Sequence, residues 1–397
     1  MRYSLIIFFL LLPVSIFAGT AKITYQQQVL TLPSGKVVVR VPDGMQLELL
    51  TDLLNRPRLL TFAKNGDLFS GSRSGKVYRL RPPYKRADVF INTGGYPHNI
   101  AFRDDEIFIA KTAGLYRAFY STWQNKIDKD ELRLVASIPG GRGHNSRTVG
   151  VGPDKRIYVS LGITGNCSDE YLGDDYVFTD RRGGVMVLDE RGQQPKWQTF
   201  ASGLRNPVGF DWHPDTGVMY ASNNGPDHLG FELPPEYFSR LEQGTFMGMP
   251  WYQYDGEVLR RDNCIGRAPP RPVSDVTEPV ATFPARNAPM AVHFVPAHGL
   301  GSHFTGDAVV ALKGSWGTQP SGDSSGDPAT RREPKLVIVR FKDGRAQRVD
   351  DLVTGFQLAN GRRWARPVGV ATGPDGALYF TSDSGVNGLF RLKKTAK

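Results

Sequence analysis

The chain reads as an all-β, six-bladed β-propeller, and three observations lead there: a phrase repeated in six related versions, turn residues suited to hairpins, and a scarcity of long amphipathic helical patterns. The clearest version is GPDGALYFTSDSGVNGLFRLKK, Gly373 to Lys394; its relatives begin at Phe62, Phe102, Val151, Trp212 and, more loosely, Phe304. Each joins an Asp/Asn/Gly turn to a short strand, then polar or glycine residues, and usually a second apolar strand. Asn65-Gly66 and Asp375-Gly376 suit tight hairpins, because both central positions tolerate positive φ. Alternation such as Leu378 and Phe380 against Tyr379 and Thr381 gives a sheet with two distinct faces. A small sheet of this kind cannot bury enough apolar surface alone, so six must pack together, and a closed ring removes most exposed edges. A large β-sandwich is the alternative, disfavoured by repeats of blade length.

The other elements fit one domain. A propeller grows by adding blades, so 397 residues do not demand two cores. The best helical pattern, Leu233 to Leu241, is short and opens on Pro234-Pro235, where proline is tolerated. At the N-terminus, Arg2 precedes an apolar run from Leu5 to Phe17 and the small residues Ala18, Gly19, Thr20 and Ala21, the pattern of a secretion signal over about 1–21. The run is shorter than the roughly 20 apolar residues of a membrane anchor. The expectation is therefore a secreted or periplasmic propeller over 22–397 with no membrane span after cleavage. The Ser/Gly/Pro-rich segment 318–333 has too little apolar content to fold alone and reads as a mobile loop on one rim.

In an exported chain the cysteine pair, Cys167 and Cys264, is either a bridge between adjacent blades or two free thiols. With no Cys-x-x-Cys-His, the polypeptide carries no c-type haem attachment. The formal charge of +10 is scattered over every blade, with no basic helix or RNA-binding signature, so no nucleic acid partner is expected.

Propeller ligands bind at one mouth of the central channel, where loops of all blades converge. The polar residues in corresponding loops are His98 in YPHN, His144 and Arg147 in GRGHNSRT, Arg205 and Asn206 in GLRNPVG, Gly225, Pro226 and Asp227 in NNGPD, Lys313 in ALKGSW, and Arg366 in RRWARPVG. Cations outnumber anions among them, which points to an anionic ligand.

The phrases GRGHNSRTVGVGPDKRIYVSLG, FASGLRNPVGFDWHPDTGVMYASNNGPD, ALKGSWG and WARPVGVATGPDGALYFTSD resemble, in order, the soluble glucose/sorbosone dehydrogenases, with the sorbosone-like branch the nearer one; the similarity runs from about Pro57 to Leu392. That resemblance implies a six-bladed propeller using pyrroloquinoline quinone (PQQ) and calcium to oxidise an aldose or sugar aldehyde, passing electrons to a separate soluble redox protein or quinone. It implies His144 as the catalytic base, and Arg205, Asn206, Lys313, Arg366 and His98 as cofactor-binding residues. It also implies the backbone carbonyls of Gly225 and Pro226 as calcium ligands, to which Asp227 is added on chemistry alone. PQQ is a flat tricarboxylate, so guanidinium and ammonium groups suit it, and calcium requires hard oxygen donors. The sequence departs from the family at Trp364, where an arginine is common and Arg362 or Arg363 are the candidates to replace it, and at His98, which stands for a glutamine. Trp316 and Trp364 are candidates for packing on a sugar ring or within the core. The competing functions are a calcium-dependent lactonase and a non-catalytic propeller that binds a glycan or peptide.

Overall fold

The computed structural model describes residues 22–395, so the leader expected over 1–21 lies outside the described residues. Among the described residues the helical segments are five 3-10 turns of three residues each, and everything else regular is strand. Six sheets carry the innermost strands Pro57–Phe62, Asn99–Arg103, Arg147–Val151, Phe210–Trp212, Pro289–Phe294 and Ala365–Thr372. Each of these packs against the next and the last against the first, so the ring closes into a six-bladed propeller. Blade 6 is completed by the N-terminal strand Met45–Thr51, whose residues pair antiparallel with Leu389–Lys394 and so join the two ends of the chain.

Between neighbouring blades lie separate apolar clusters. Phe69, Phe90 and Ile109 fill the first junction, Phe108, Leu161 and Met186 the second, and Phe238, Phe294 and Phe341 that of blades 4 and 5. The rings meet edge to face, as at Phe69–Phe90 with centroids 5.1 Å apart, the geometry an aromatic quadrupole favours. An N-terminal hairpin, Tyr25–Leu32 with Gly35–Pro42, lays Val39 and Val41 against the junction of blades 5 and 6. That hairpin is outside the repeat and was not anticipated.

Two local expectations are corrected. The segment placed in a helical pattern, Leu233 to Leu241, contains the strand Glu236–Leu241, paired with Met219–Asn223 as the third strand of blade 4. Tyr237 and Phe238 suit a pleated, buried surface, and sheet pairing outweighs a weak 3.6-residue pattern. In the Asn65-Gly66 and Asp375-Gly376 turns only the glycines have positive φ, 86° and 74°. The amide of Gly66 donates to Ala63 O and that of Ala63 to Asp67 O, a longer turn that ends on a left-handed glycine.

Cys167 and Cys264 form a disulfide with Cα atoms 6.0 Å apart, joining a loop of blade 3 to an insertion between the third and fourth strands of blade 4. The fully buried Trp251 anchors that insertion. Replacing both cysteines by serine is expected to lower the unfolding free energy by about 2–5 kcal/mol. Denaturant titration would show this as a lower midpoint; an unchanged midpoint would contradict it. The segment 318–333 folds back in hydrogen-bonded turns, with Thr318 fully buried and its amide donating to Asp323 O.

Candidate functional site: a cationic mouth

All six innermost strands start at the same end of the channel, beside the ends of the second strands. The register shows this directly: Pro57 pairs with Ser72, Arg147 with Leu161, Pro289 with Leu312 and Pro367 with Ser382. Residues just before an inner strand and just after a second strand therefore share one rim. Proline stands at or near several of these starts (Pro57, Pro97, Pro207, Pro289, Pro367), where its missing N–H costs the sheet least.

Around this rim the candidates form one connected circuit. The Arg58 guanidinium donates to Asp383 Oδ2 at 2.5 Å, and Lys313 Nζ donates to the same oxygen at 2.7 Å. Arg366 Nε donates to Lys313 O at 2.8 Å and its NH2 group to Gly314 O at 2.9 Å. The amides of Lys313 and Gly314 donate to Ala288 O and Asn287 O, which links blade 5. The neighbouring Arg286 is ion-paired with Asp227 at 3.1 Å, and Asp227 in turn faces Arg205 at 3.7 Å. Gly162 closes the path to His144. A Cβ there would lie 2.6 Å from both Asn206 Oδ1 and the His144 Cβ, so only glycine allows this approach.

The electrostatics are those of a buried cationic cluster. Burial, with Arg58 and Arg366 nearby, pushes Lys313 down to about 7. Burial opposes the charge on Asp383, but Arg58 and Lys313 outweigh it and hold the carboxyl below its usual range. Burial and the Arg205 charge push His144 down to about 4, so its imidazole is neutral at pH 7. His144 Nδ1 lies 2.6 Å from Ile163 O, which only accepts, so the proton sits on Nδ1. Nε2 then carries the lone pair and has no hydrogen-bond partner among the described residues.

His98 has a different position. It is fully buried, with Nε2 3.3 Å from the Arg58 NH2 group and Nδ1 3.2 Å from Thr148 Oγ1. Arg58 must donate, and the Thr148 hydroxyl donates onward to Val208 O, so His98 is the Nδ1–H tautomer. Burial and Arg58 drive its pKa well below the usual value. It braces Arg58 from beneath and does not line the mouth.

Asp227 is likewise engaged. Arg286 holds both its carboxylate and its carbonyl oxygen, and the Arg205 charge lies beyond. The carbonyls of Gly225 and Pro226 accept no hydrogen bond from other described residues. Glu236, behind them, accepts from the Gly225 and Ala288 amides, and burial raises its carboxyl to about 7. Trp364 packs on Phe356 and Phe390 with its Nε1 donating to Gly355 O, so it belongs to the core. Arg363 stands beside Arg366, which together with burial lowers it to about 9. Trp316 is half-exposed at the rim, with Arg286 5.8 Å from its ring centre.

Arg58, Asp383 and Arg286 were missed by sequence reasoning. Arg58 is preceded by Pro57 as Val208 is by Pro207 and Val368 by Pro367, and Asp383 follows Ser382, the partner of Pro367, as Lys313 follows Leu312, the partner of Pro289. Aligning all six repeats on those two positions would have found both.

Fold and rim together define a six-bladed propeller with a buried cationic mouth. The family model described as TrAA12-like matches residues 39–233. The chain is 24% identical over 368 residues to an uncharacterised protein of Borreliella burgdorferi, covering 89% of this chain and 90% of that one. Several solved structures share its fold, among them the following two. One is the calcium structure of a Trichoderma reesei carbohydrate-active enzyme of family AA12, with a TM-score of 0.74 and 17% identity over 95% of this chain and 100% of that one. The other is the holo form of the pyranose dehydrogenase PQQ domain from Coprinopsis cinerea, with a TM-score of 0.67 and 19% identity over 90% and 97%.

Proposed function

We propose that this chain is a PQQ-dependent oxidoreductase of an aldose or sugar aldehyde, exported to the periplasm or beyond, with His144 as general base. The observation that carries the reading is the mouth itself. Arg58, Arg205, Lys313 and Arg366 converge there against few carboxylates, beside an imidazole kept unprotonated. The similarity to a PQQ domain of a pyranose dehydrogenase and to AA12 enzymes supports it. The leader pattern supports export, and no helix among the described residues is long and apolar enough to cross a membrane.

The residues present fit a planar polyacid. Arg58 Nε and Asn206 Oδ1 are buried without hydrogen-bond partners, polar atoms whose burial is costly unless a ligand or water meets them. Arg205, Asn206, Lys313 and Arg366 would hold the carboxylates and ring oxygens, with Arg58 joining them and His98 supporting it. When bound, PQQ would supply the two-electron acceptor for hydride from the sugar carbon. His144 Nε2 takes the hydroxyl proton, Ile163 O fixes the ring, and Arg205 disfavours premature protonation. For calcium, the carbonyls of Gly225 and Pro226 are suitable donors, whereas the Asp227 carboxylate is ion-paired with Arg286 and faces Arg205. A separate redox protein or quinone would take the electrons away.

Purified apoprotein is expected to gain dye-linked sugar oxidation when PQQ and calcium are added, and none with calcium alone. Lactone hydrolysis with calcium alone would overturn the reading in favour of a lactonase, although a lactonase requires carboxylates converging on the metal and this rim is cationic.

A further inference from the structure

In the loop 162–183 of blade 3, one exposed residue touches the site at three points. Asn166 O accepts from Arg205 Nε at 3.3 Å, Asn166 Oδ1 accepts from the Arg205 NH2 group at 2.6 Å, and the same Oδ1 accepts from the Asp227 amide at 3.2 Å. Arg205 NH1 donates to Asn224 O at 3.4 Å. A guanidinium has five N–H donors. Three are engaged here, and the Asp227 carboxylate lies 3.7 Å from the same NH2 nitrogen, so Asn166 takes the Nε–NH2 edge of the guanidinium.

Asn166 is followed directly by Cys167, which the disulfide ties to Cys264. Beyond Cys264 the anchor is firm. The Cys264 amide donates to Asp262 Oδ1, the Asp262 amide to Trp251 O, and Trp251 is fully buried with its Nε1 donating to Arg267 O. Within the loop itself, Asn166 is flanked by Gly165, Ser168 bonds Gly165 and Glu170, and Thr164 bonds Glu170 and accepts from Arg182, so on the far side of Asn166 the Cys167 bridge is the long-range tie.

We propose that Asn166 is a positioning residue of the anion site, and that the Cys167–Cys264 bridge acts on ligand binding through it, by holding Asn166 against the side edge of Arg205. The bridge is then a brace of the site as well as a staple of the fold. The part of this that concerns PQQ rests on the function proposed above.

The test compares wild type with Asn166→Ala, Asn166→Asp, the Cys167→Ser/Cys264→Ser pair, and the pair combined with Asn166→Ala. PQQ affinity is measured by absorbance titration and the titration of His144 by NMR. Asn166→Ala and the cysteine pair should each weaken PQQ about tenfold, and the combination little more than either alone, since coupled residues are not additive; Asn166→Asp keeps the Oδ1 acceptor but sets a negative charge against Arg205, so it should weaken PQQ at least as much. His144 feels the Arg205 charge, so release of Arg205 should raise the His144 pKa alike in Asn166→Ala and in the cysteine pair. Additive losses in PQQ affinity, or a His144 titration unchanged in both variants, would overturn the proposal. If wild type bound no PQQ while His144 shifted as expected, the positioning role would stand and the PQQ reading would fall. Melting temperatures identify any variant that loses affinity only because it unfolds, and the His144 titration, read without ligand, keeps the proposal falsifiable in those that stay folded.

Discussion

Replacing His144 by alanine is expected to lower turnover by roughly 100- to 10,000-fold, the range a positioned general base supplies, while PQQ affinity changes little. The split between rate and binding follows from geometry. The imidazole is neutral, its Nδ1–H is committed to Ile163 O, and its free nitrogen is the proton acceptor. Because its pKa lies near 4, the group stays a base at neutral pH, and the rate should fall only as the pH drops toward that value. An acid limb near the ordinary histidine value, or turnover preserved in the variant, would remove His144 from the mechanism.

The second large effect concerns Lys313. Its ammonium is buried among Arg58 and Arg366 with Asp383 as counter-ion, and it titrates near 7 in the free protein. A bound carboxylate favours the charged form and raises that pKa, so binding takes up a proton. The sign follows: affinity is greatest below about pH 7, where Lys313 is already charged, and weakens as the pH rises through that value. The slope approaches about tenfold per pH unit, one proton's worth, until the pKa of the complex is reached. Arg58 and Arg366 stay cationic in this window, and Asp383, held low, stays ionised. Lys313→Met should lose roughly 10- to 100-fold in PQQ affinity at pH 6, the worth of a charge-assisted contact, and should lose the pH dependence with it. Binding that strengthens above pH 7 would contradict this assignment.

Much of the architecture could be read from the chain because each blade announces itself locally, through a turn, an alternating strand and a glycine. The elements that escaped are those without a repeat to compare. The Tyr25–Pro42 hairpin packs by long-range apolar contact, and the blade 4 insertion around Trp251 is held by its own small core. Glu236–Leu241 was given a helical period because six residues are too few to separate a period of two from one of 3.6 when nearly all are buried. At the mouth, the residues placed there by their loops do lie on one rim: His144, Arg205, Asn206, Lys313 and Arg366. What the chain could not display is which of them touch a ligand and which serve another side chain. His98 and Asp227 look like ligands in sequence, yet each is committed to an arginine, and Arg58 and Asp383 looked like strand residues. Those assignments depend on contacts between residues 40 to 325 positions apart.

The central claim is that this mouth is built for a planar polyanion. Its most direct test is an equilibrium titration of the apoprotein with PQQ at pH 6, in wild type and in Arg205→Ala and Lys313→Met. The account predicts saturable binding of one PQQ per chain, weakened by either substitution. Absence of saturable binding, or binding indifferent to both substitutions, would contradict it.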